Sequence, residues 1–112
     1  MSQPKRKRID YCFDLDGTLC TNTEGDYDDA KPYPRRIAKL NRLYDQGHRI
    51  VIYTARGTKT GINWRALTRR QLATWKVKYH KLFLGKPYAD IYVDDKCIDV
   101  RQWAKESKSR AQ

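Results

Sequence analysis

Long apolar runs are absent from this sequence. Ile50-Val51-Ile52-Tyr53 is typical of what there is, far short of the ~18 residues that cross a bilayer, so no membrane span and no membrane partner is expected. No basic segment leads into an apolar core of the leader-peptide kind, and export is not expected either. Cysteine is scarce: Cys12, Cys20 and Cys97 are odd in number and at no metal-ligand spacing. That argues against a disulfide framework and a zinc site, and for a reducing, cytoplasmic home. Acidic residues are few, 13 against 24 Lys and Arg, which leaves a formal charge of +11. Such an excess attracts polyanions or anionic substrates without saying which. Internal repeats are missing, and low complexity is confined to the two ends.

What remains is enough for one core. The 112 residues are 39% hydrophobic and include three Trp and eight Tyr, which suits a single domain. Residues 1–8, with the run PKRKR, and residues 105–112 read as flexible basic tails around a domain spanning 9–104. A solvated tail is the simple reading of PKRKR; a nuclear-import signal is the alternative.

Along the domain, Ile9 to Phe13 reads as a buried strand. The polar stretch from Thr21 to Pro34 must run over the surface as a flap. Pro34 suits a first helical position, Ile37, Leu40, Leu43 and Tyr44 recur at helical spacing, and Gly47 supplies a stop. Arg49 to Tyr53 is a second strand, ending at Thr54. After the loop Gly57 to Asn63, Asn63 is placed to cap a helix that presents Trp64, Leu67, Leu72 and Trp75. Lys81 to Leu84 and Ala89 to Val93 read as two more strands, and Ile98 to Glu106 as a last helix. Helices separating strands predict an α/β fold with a mostly parallel sheet.

Parallel strands bring their carboxyl ends to one edge, where ligands bind in open α/β sheets. Asp14 and Asp16, Thr54, Lys86, and the pair Asp94-Asp95 all stand at predicted strand ends, so one site is expected there. Like charges about 4 Å apart cost roughly 4 kcal/mol at an effective dielectric near 20, so gathered carboxylates recruit a cation. Oxygen ligands with room for water and phosphate suit Mg²⁺. Lys86 can steady a carboxylate and a phosphoryl oxygen together, and the Thr54 hydroxyl can donate to another. The set suits phosphoryl transfer.

The motifs FDLDGT, Thr54 after IVIY, Lys86 in GKP, and Asp94-Asp95 after DIYV resemble, in order, the four motifs of the haloacid dehalogenase superfamily of phosphatases. The likeness spans about residues 9 to 100. DYDDAKPYP, TARGTKTG, LTRRQLATW and LGKPYADIYVDDK are further similar to small phosphatases encoded with capsule and sugar-nucleotide biosynthesis genes. The resemblance implies a Rossmann-like core of four strands in the order 4-1-2-3. It implies Asp14 as a nucleophile that becomes an aspartyl-phosphate, Asp16 as the acid and base, and Lys86 as their catalytic partner. Mg²⁺ would be held by Asp14, Asp16 and the Asp94-Asp95 pair, with Asp95 favoured because Asp99 completes a D-x-x-x-D spacing. Gly17, Thr18, Thr54, Ala55 and Arg56 would bind the phosphorylated substrate. The short connections leave no room for either usual cap insertion, so the site is expected to be open, and a homo-oligomer could cover the short sheet.

Other readings compete. Arg56, Lys59 and Arg65 suit either a substrate site or a solvated basic face, while Trp64, Trp75 and Tyr79 suit packing. A phospho-acceptor receiver module also places acids, Thr and Lys at strand ends, but its acceptor aspartate sits on a middle strand, where this chain has Tyr53-Thr54. A basic binding module without catalysis is the blandest alternative. Between substrates, a sugar phosphate or related small metabolite is favoured; the alternative is a polynucleotide 3′-phosphatase acting on nucleic acid ends.

Overall fold

The structure, a computed structural model, describes residues 7–106. Strand β1 (Asp10–Asp14) runs parallel to β2 (Arg49–Thr54), with Asp10 opposite Arg49 and Asp14 opposite Tyr53. Strand β3 (Lys81–Leu84) continues the sheet in parallel, with Val51 opposite Lys81 and Thr54 opposite Leu84. The spatial order is β1-β2-β3. Helix α1 (Pro34–Asp45) links β1 to β2, α2 (Arg65–Thr74) links β2 to β3, and α3 (Val100–Lys105) follows. This is the α/β architecture expected, built in three strands among the described residues.

The pleat explains which residues fill the core. Along β2, Ile50, Ile52 and Thr54 are buried while Arg49, Val51 and Tyr53 are half-buried, the period of two that a strand imposes. Phe13 and Leu82 flank Ile52 across the sheet and share its face. Against these pack Ile37, Leu40 and Leu43 of α1, one stripe of a helix that starts at Pro34 as the sequence suggests. Trp103 of α3 meets Phe13 edge-on at 5.1 Å, and Lys39 of α1 donates to the Trp103 and Glu106 carbonyls, tying α3 to α1. Asn63 accepts the Arg65 N–H at 3.0 Å, so it satisfies the start of α2 from one residue before the helix cap Trp64.

Two histidines hold the sheet edge opposite the carboxyl ends. His48 accepts the Ile9 N–H through Nδ1 at 3.0 Å, and His80 accepts the Ile50 N–H in the same way at 3.0 Å. Each stands just before a strand and binds the start of its neighbour.

The fourth strand is a correction. Ala89 to Val93 forms no ladder among the described residues, and Ile91, Tyr92 and Val93 are exposed. Local contacts hold the segment elsewhere: the Tyr92 hydroxyl donates to the Pro87 carbonyl, and its ring lies 4.1 Å under the Lys86 ammonium. A short run between Pro87 and the Asp94-Asp95 turn has strand composition but does not pair with the β1 edge, and β-propensity is only fitness for a partnered surface. The order 4-1-2-3 is thus realised as 1-2-3. The predicted tails fall almost wholly outside the described residues, and Lys105 ends α3. No described helix is long and apolar enough to cross a membrane.

Candidate active site

The loop after β1 is built on one carbonyl. Leu15 O accepts from the N–H groups of Thr18, Leu19 and Cys20 at 3.1, 2.8 and 3.3 Å, while the Leu15 and Leu19 side chains are fully buried beneath it. Gly17 turns the chain at φ +83°, a conformation that a Cβ strains, and donates to Cys20 O at 2.8 Å. Arg36 of α1 donates to the carbonyls of Gly17 and Thr18 at 3.4 and 3.2 Å and stacks on Tyr33. The loop carrying Asp14 and Asp16 is therefore pinned from below and from the side.

Lys86 reaches this loop from the end of β3. Thr54 is buried at the end of β2, and its carbonyl accepts the N–H groups of both Gly85 and Lys86 at 3.1 Å. The Tyr53 hydroxyl donates to Gly85 O at 3.4 Å and the Thr58 hydroxyl to Lys86 O at 2.9 Å. The turn is clamped on both sides, which delivers the ammonium to 3.4 Å from Asp14 Oδ2. Asp14 Oδ1 also accepts the Leu15 N–H at 2.9 Å. Burial raises the Asp14 carboxyl above its ordinary value, opposed by Lys86 and the Leu15 N–H and aided by the neighbouring Asp16 charge.

Arg56 differs from its expected role. It is 2% exposed and points inward, where its guanidinium grips Asp16 through Nε at 2.9 Å and Nη2 at 2.8 Å. A side chain so enclosed does not meet substrate. Gly57 makes its loop possible: at φ +82°, a Cβ there would stand 2.0 Å from the Ile62 carbonyl oxygen. Thr54 lends its hydroxyl oxygen to the Arg56 N–H at 3.2 Å, and Ala55 and Thr18 are half-buried beside the mouth. Cys20 lies under the site, its thiol pushed up to about 12 by burial and the Asp16 charge, so it is inert.

Asp94 and Asp95 do not join the rim carboxylates in this arrangement. Both are exposed, and Asp94 accepts the Lys96 N–H at 2.8 Å in its own turn. That hydrogen bond, with one from the Asp95 carboxyl, holds Asp94 below its ordinary value. Asp99 caps α3 through the Arg101 N–H at 2.8 Å and pairs with the Arg101 guanidinium, which brings its carboxyl down to about 2. The placement follows from the missing fourth strand, whose end would have carried the pair. Among the described residues no three His, Cys, Asp or Glu side chains gather as a metal site. Asp14 faces Lys86, and both Asp16 oxygens face Arg56, so the residues as placed do not fit a divalent ion.

Four residues near the site were not anticipated. Gln71 and Thr68 of α2 bind Arg56, Tyr27 lays its ring 4.6 Å from the guanidinium, and Arg36 braces the loop. Polar residues on a helix ordinarily read as its solvent face, and Tyr27, Thr68 and Gln71 stood only inside the resembling phrases DYDDAKPYP and LTRRQLATW, with no role attached.

Comparison with known proteins bears on the family and the fold. A family model described as haloacid dehalogenase-like hydrolase matches residues 11–70, more than half the chain. A target protein from Vibrio cholerae known by its crystal structure superposes with a TM-score of 0.80 at 28% identity, over 88% of this chain and 89% of that one. A chain of the Pnkp1/Rnl/Hen1 complex superposes at 0.57 and 23% identity, over 90% of this chain and 35% of that one, a likeness of fold alone. No curated protein matches.

Proposed function

The chain belongs to the haloacid dehalogenase-like hydrolases, and from that premise we propose that it is a phosphomonoesterase with Asp14 as its nucleophile. The observation that carries the reading is the Lys86 ammonium 3.4 Å from Asp14 Oδ2 at the open carboxyl edge of the sheet. A cation there keeps the carboxylate ionised for attack and meets a phosphoryl oxygen at the same time.

In the first displacement an Asp14 oxygen bonds to phosphorus while the ester P–O bond breaks. The electron pair of that bond stays on the leaving oxygen, which takes a proton from the Asp16 carboxyl. In the second, water attacks the aspartyl-phosphate, Asp16 takes a proton from it, and the bond between phosphorus and the Asp14 oxygen breaks to restore the carboxylate. Inorganic phosphate and an alcohol are released. Thr54 places Lys86 through its carbonyl, and the Gly17-Thr18 turn leaves the backbone open to the phosphate. The family resemblance implies Mg²⁺, but an ion at this rim needs Asp94 or Asp95 beside Asp14, so every step above rests on the chain's own residues.

The substrate proposed is a sugar phosphate or related small metabolite, admitted because no cap covers the mouth among the described residues. One observation favours a second reading, action on nucleic acid ends: Lys59 lies 4.9 Å over the Tyr88 ring and Lys86 4.1 Å over the Tyr92 ring, aromatic faces and cations side by side at the exposed rim. A reducing cytoplasm suits three unpaired cysteines, two of them exposed. The open edge of β1 is where a second copy would pair.

The test is hydrolysis of a generic aryl phosphate by the wild type and by Asp14→Asn. Turnover abolished in a folded variant is expected. More than a few per cent of wild-type activity in that variant would sink the mechanism.

A further inference from the structure

Arg56 is a buried cation with every donor engaged. Nε donates to Asp16 Oδ2 at 2.9 Å, Nη2 to Asp16 Oδ1 at 2.8 Å and toward Cys20 Sγ at 3.8 Å, and Nη1 to Thr68 Oγ1 at 3.1 Å and Gln71 Oε1 at 2.6 Å. A guanidinium has five N–H groups, and five contacts receive them. Gln71 in turn donates to the Tyr27 carbonyl at 2.6 Å, and the Tyr27 ring covers the guanidinium while meeting Trp64 edge-on at 5.0 Å. The chain of contacts runs from Asp16 through Arg56 and α2 to the flap.

Filling space does not require this. Buried ion pairs are weak contributors to stability, and apolar residues of similar volume often serve a fold as well. What a two-point guanidinium contact adds is direction, because two parallel N–H bonds fix the plane of the carboxylate. The asymmetry between the two aspartates of the loop agrees. Asp14 meets the Leu15 N–H through Oδ1 and a half-buried ammonium, a point charge, through Oδ2, whereas both Asp16 oxygens are gripped by one rigid and fully buried fork.

We propose that Arg56 is the positioning residue for proton transfer: it holds the Asp16 carboxyl plane toward the leaving oxygen of an ester bound at Asp14, with Gln71 and Tyr27 fixing Arg56 in turn. This rests on the reading of Asp16 as the acid given above. Asp16 Oδ1 also accepts from the Cys20 thiol at 3.5 Å, so it is Oδ2 that keeps a second lone-pair site beyond the one facing Arg56, and the fork aims the group without consuming it. The flap is thereby joined to the chemistry, since displacing Tyr27 moves Gln71 and releases the guanidinium.

The test uses leaving groups. An alkyl phosphate leaves as an alkoxide that needs the proton, whereas a nitrophenyl phosphate leaves without it, so a fault in proton delivery slows the first far more than the second. Asp16→Asn sets the reference bias, within the ~10²–10⁴-fold that general acid–base groups contribute. Arg56→Lys and Gln71→Met are expected to show the same bias at smaller size. For Arg56→Lys, kcat on the alkyl ester should fall about tenfold or more while KM stays within about twofold. Free guanidinium ion should restore alkyl-ester turnover to Arg56→Ala. If Arg56→Lys fails to fold by circular dichroism, Gln71→Met carries the same test.

Equal slowing of both esters, or none, in variants whose Asp16→Asn reference shows the bias overturns the positioning role alone. Absence of the bias in Asp16→Asn itself removes the reading of Asp16 as acid, and this inference with it.

Discussion

Lys86 Nζ and Asp14 Oδ2 stand 3.4 Å apart because Thr54 O holds the N–H groups of Gly85 and Lys86, and the parallel register sets Thr54 beside Leu84. The two residues come from opposite ends of the domain, and the middle strand brings them together. Burial raises the Asp14 carboxyl and Lys86 opposes that rise.

A pH dependence follows from the opposition. Attack needs the Asp14 carboxylate, so kcat/KM should fall in acid from a pH above that of an ordinary aspartate. Lys86→Met removes the lowering influence, and the acid limb should move to higher pH as the plateau drops. A pH–rate profile of each form checks this; a limb that stays in place or moves down would show that Lys86 does not face the reacting carboxylate.

Asp14→Asn should stabilise the fold at neutral pH while removing activity. A carboxyl whose folded-state value is raised binds its proton more tightly folded than unfolded, so stability falls as pH rises from the unfolded value through the folded one. Above that window the wild type carries the cost and the Asn variant does not. Thermal melts at pH 7 and near pH 4 are the measurement, and the gain in Tm should shrink at the lower pH. A drop in Tm at pH 7 would mean that the Lys86 attraction outweighs the burial.

His48 offers a control far from the chemistry. It is 2% exposed and its Nδ1 accepts the Ile9 N–H, so His48→Ala leaves that donor without its partner. Loss of such an acceptor costs about 1–3 kcal/mol. Urea denaturation should show that loss, with kcat per folded molecule unchanged at low temperature.

Substrate class can be read from salt. A polymer end engages several cations and releases counterions, so its affinity falls by roughly 10³–10⁵ between 50 and 200 mM salt for six to ten phosphate contacts. A sugar phosphate touches one or two charges. The expected result is a sugar phosphate with kcat/KM far above that of a 3′-phosphorylated oligonucleotide, and a KM nearly constant over that range. The reverse order with a steep salt slope would transfer the reading to nucleic acid ends.

The rim residues were legible because their signals are local. An apolar strand that breaks at Gly17 beside two aspartates, and a Thr and a Lys at later strand ends, need only parallel strands to meet. Arg56 was not legible in its role. In RGTKTG it looks like any cation of a basic loop, and only the fold shows that its loop turns it under the sheet edge toward Thr68 and Gln71. Asp94 and Asp95 were tied to a strand that forms only if it pairs with the β1 edge, and composition alone cannot decide that. The three-residue 3-10 turn Tyr27–Asp29 in the flap was equally hidden, because its anchor is a distant glutamine.

The nucleophile itself is open to direct observation. Enzyme mixed with substrate and quenched in acid within a turnover should carry the mass of one phosphoryl group, on the peptide that contains Asp14, and hydroxylamine should remove it. No adduct at any quench time, or an adduct on another residue in an enzyme that turns over, would contradict the account.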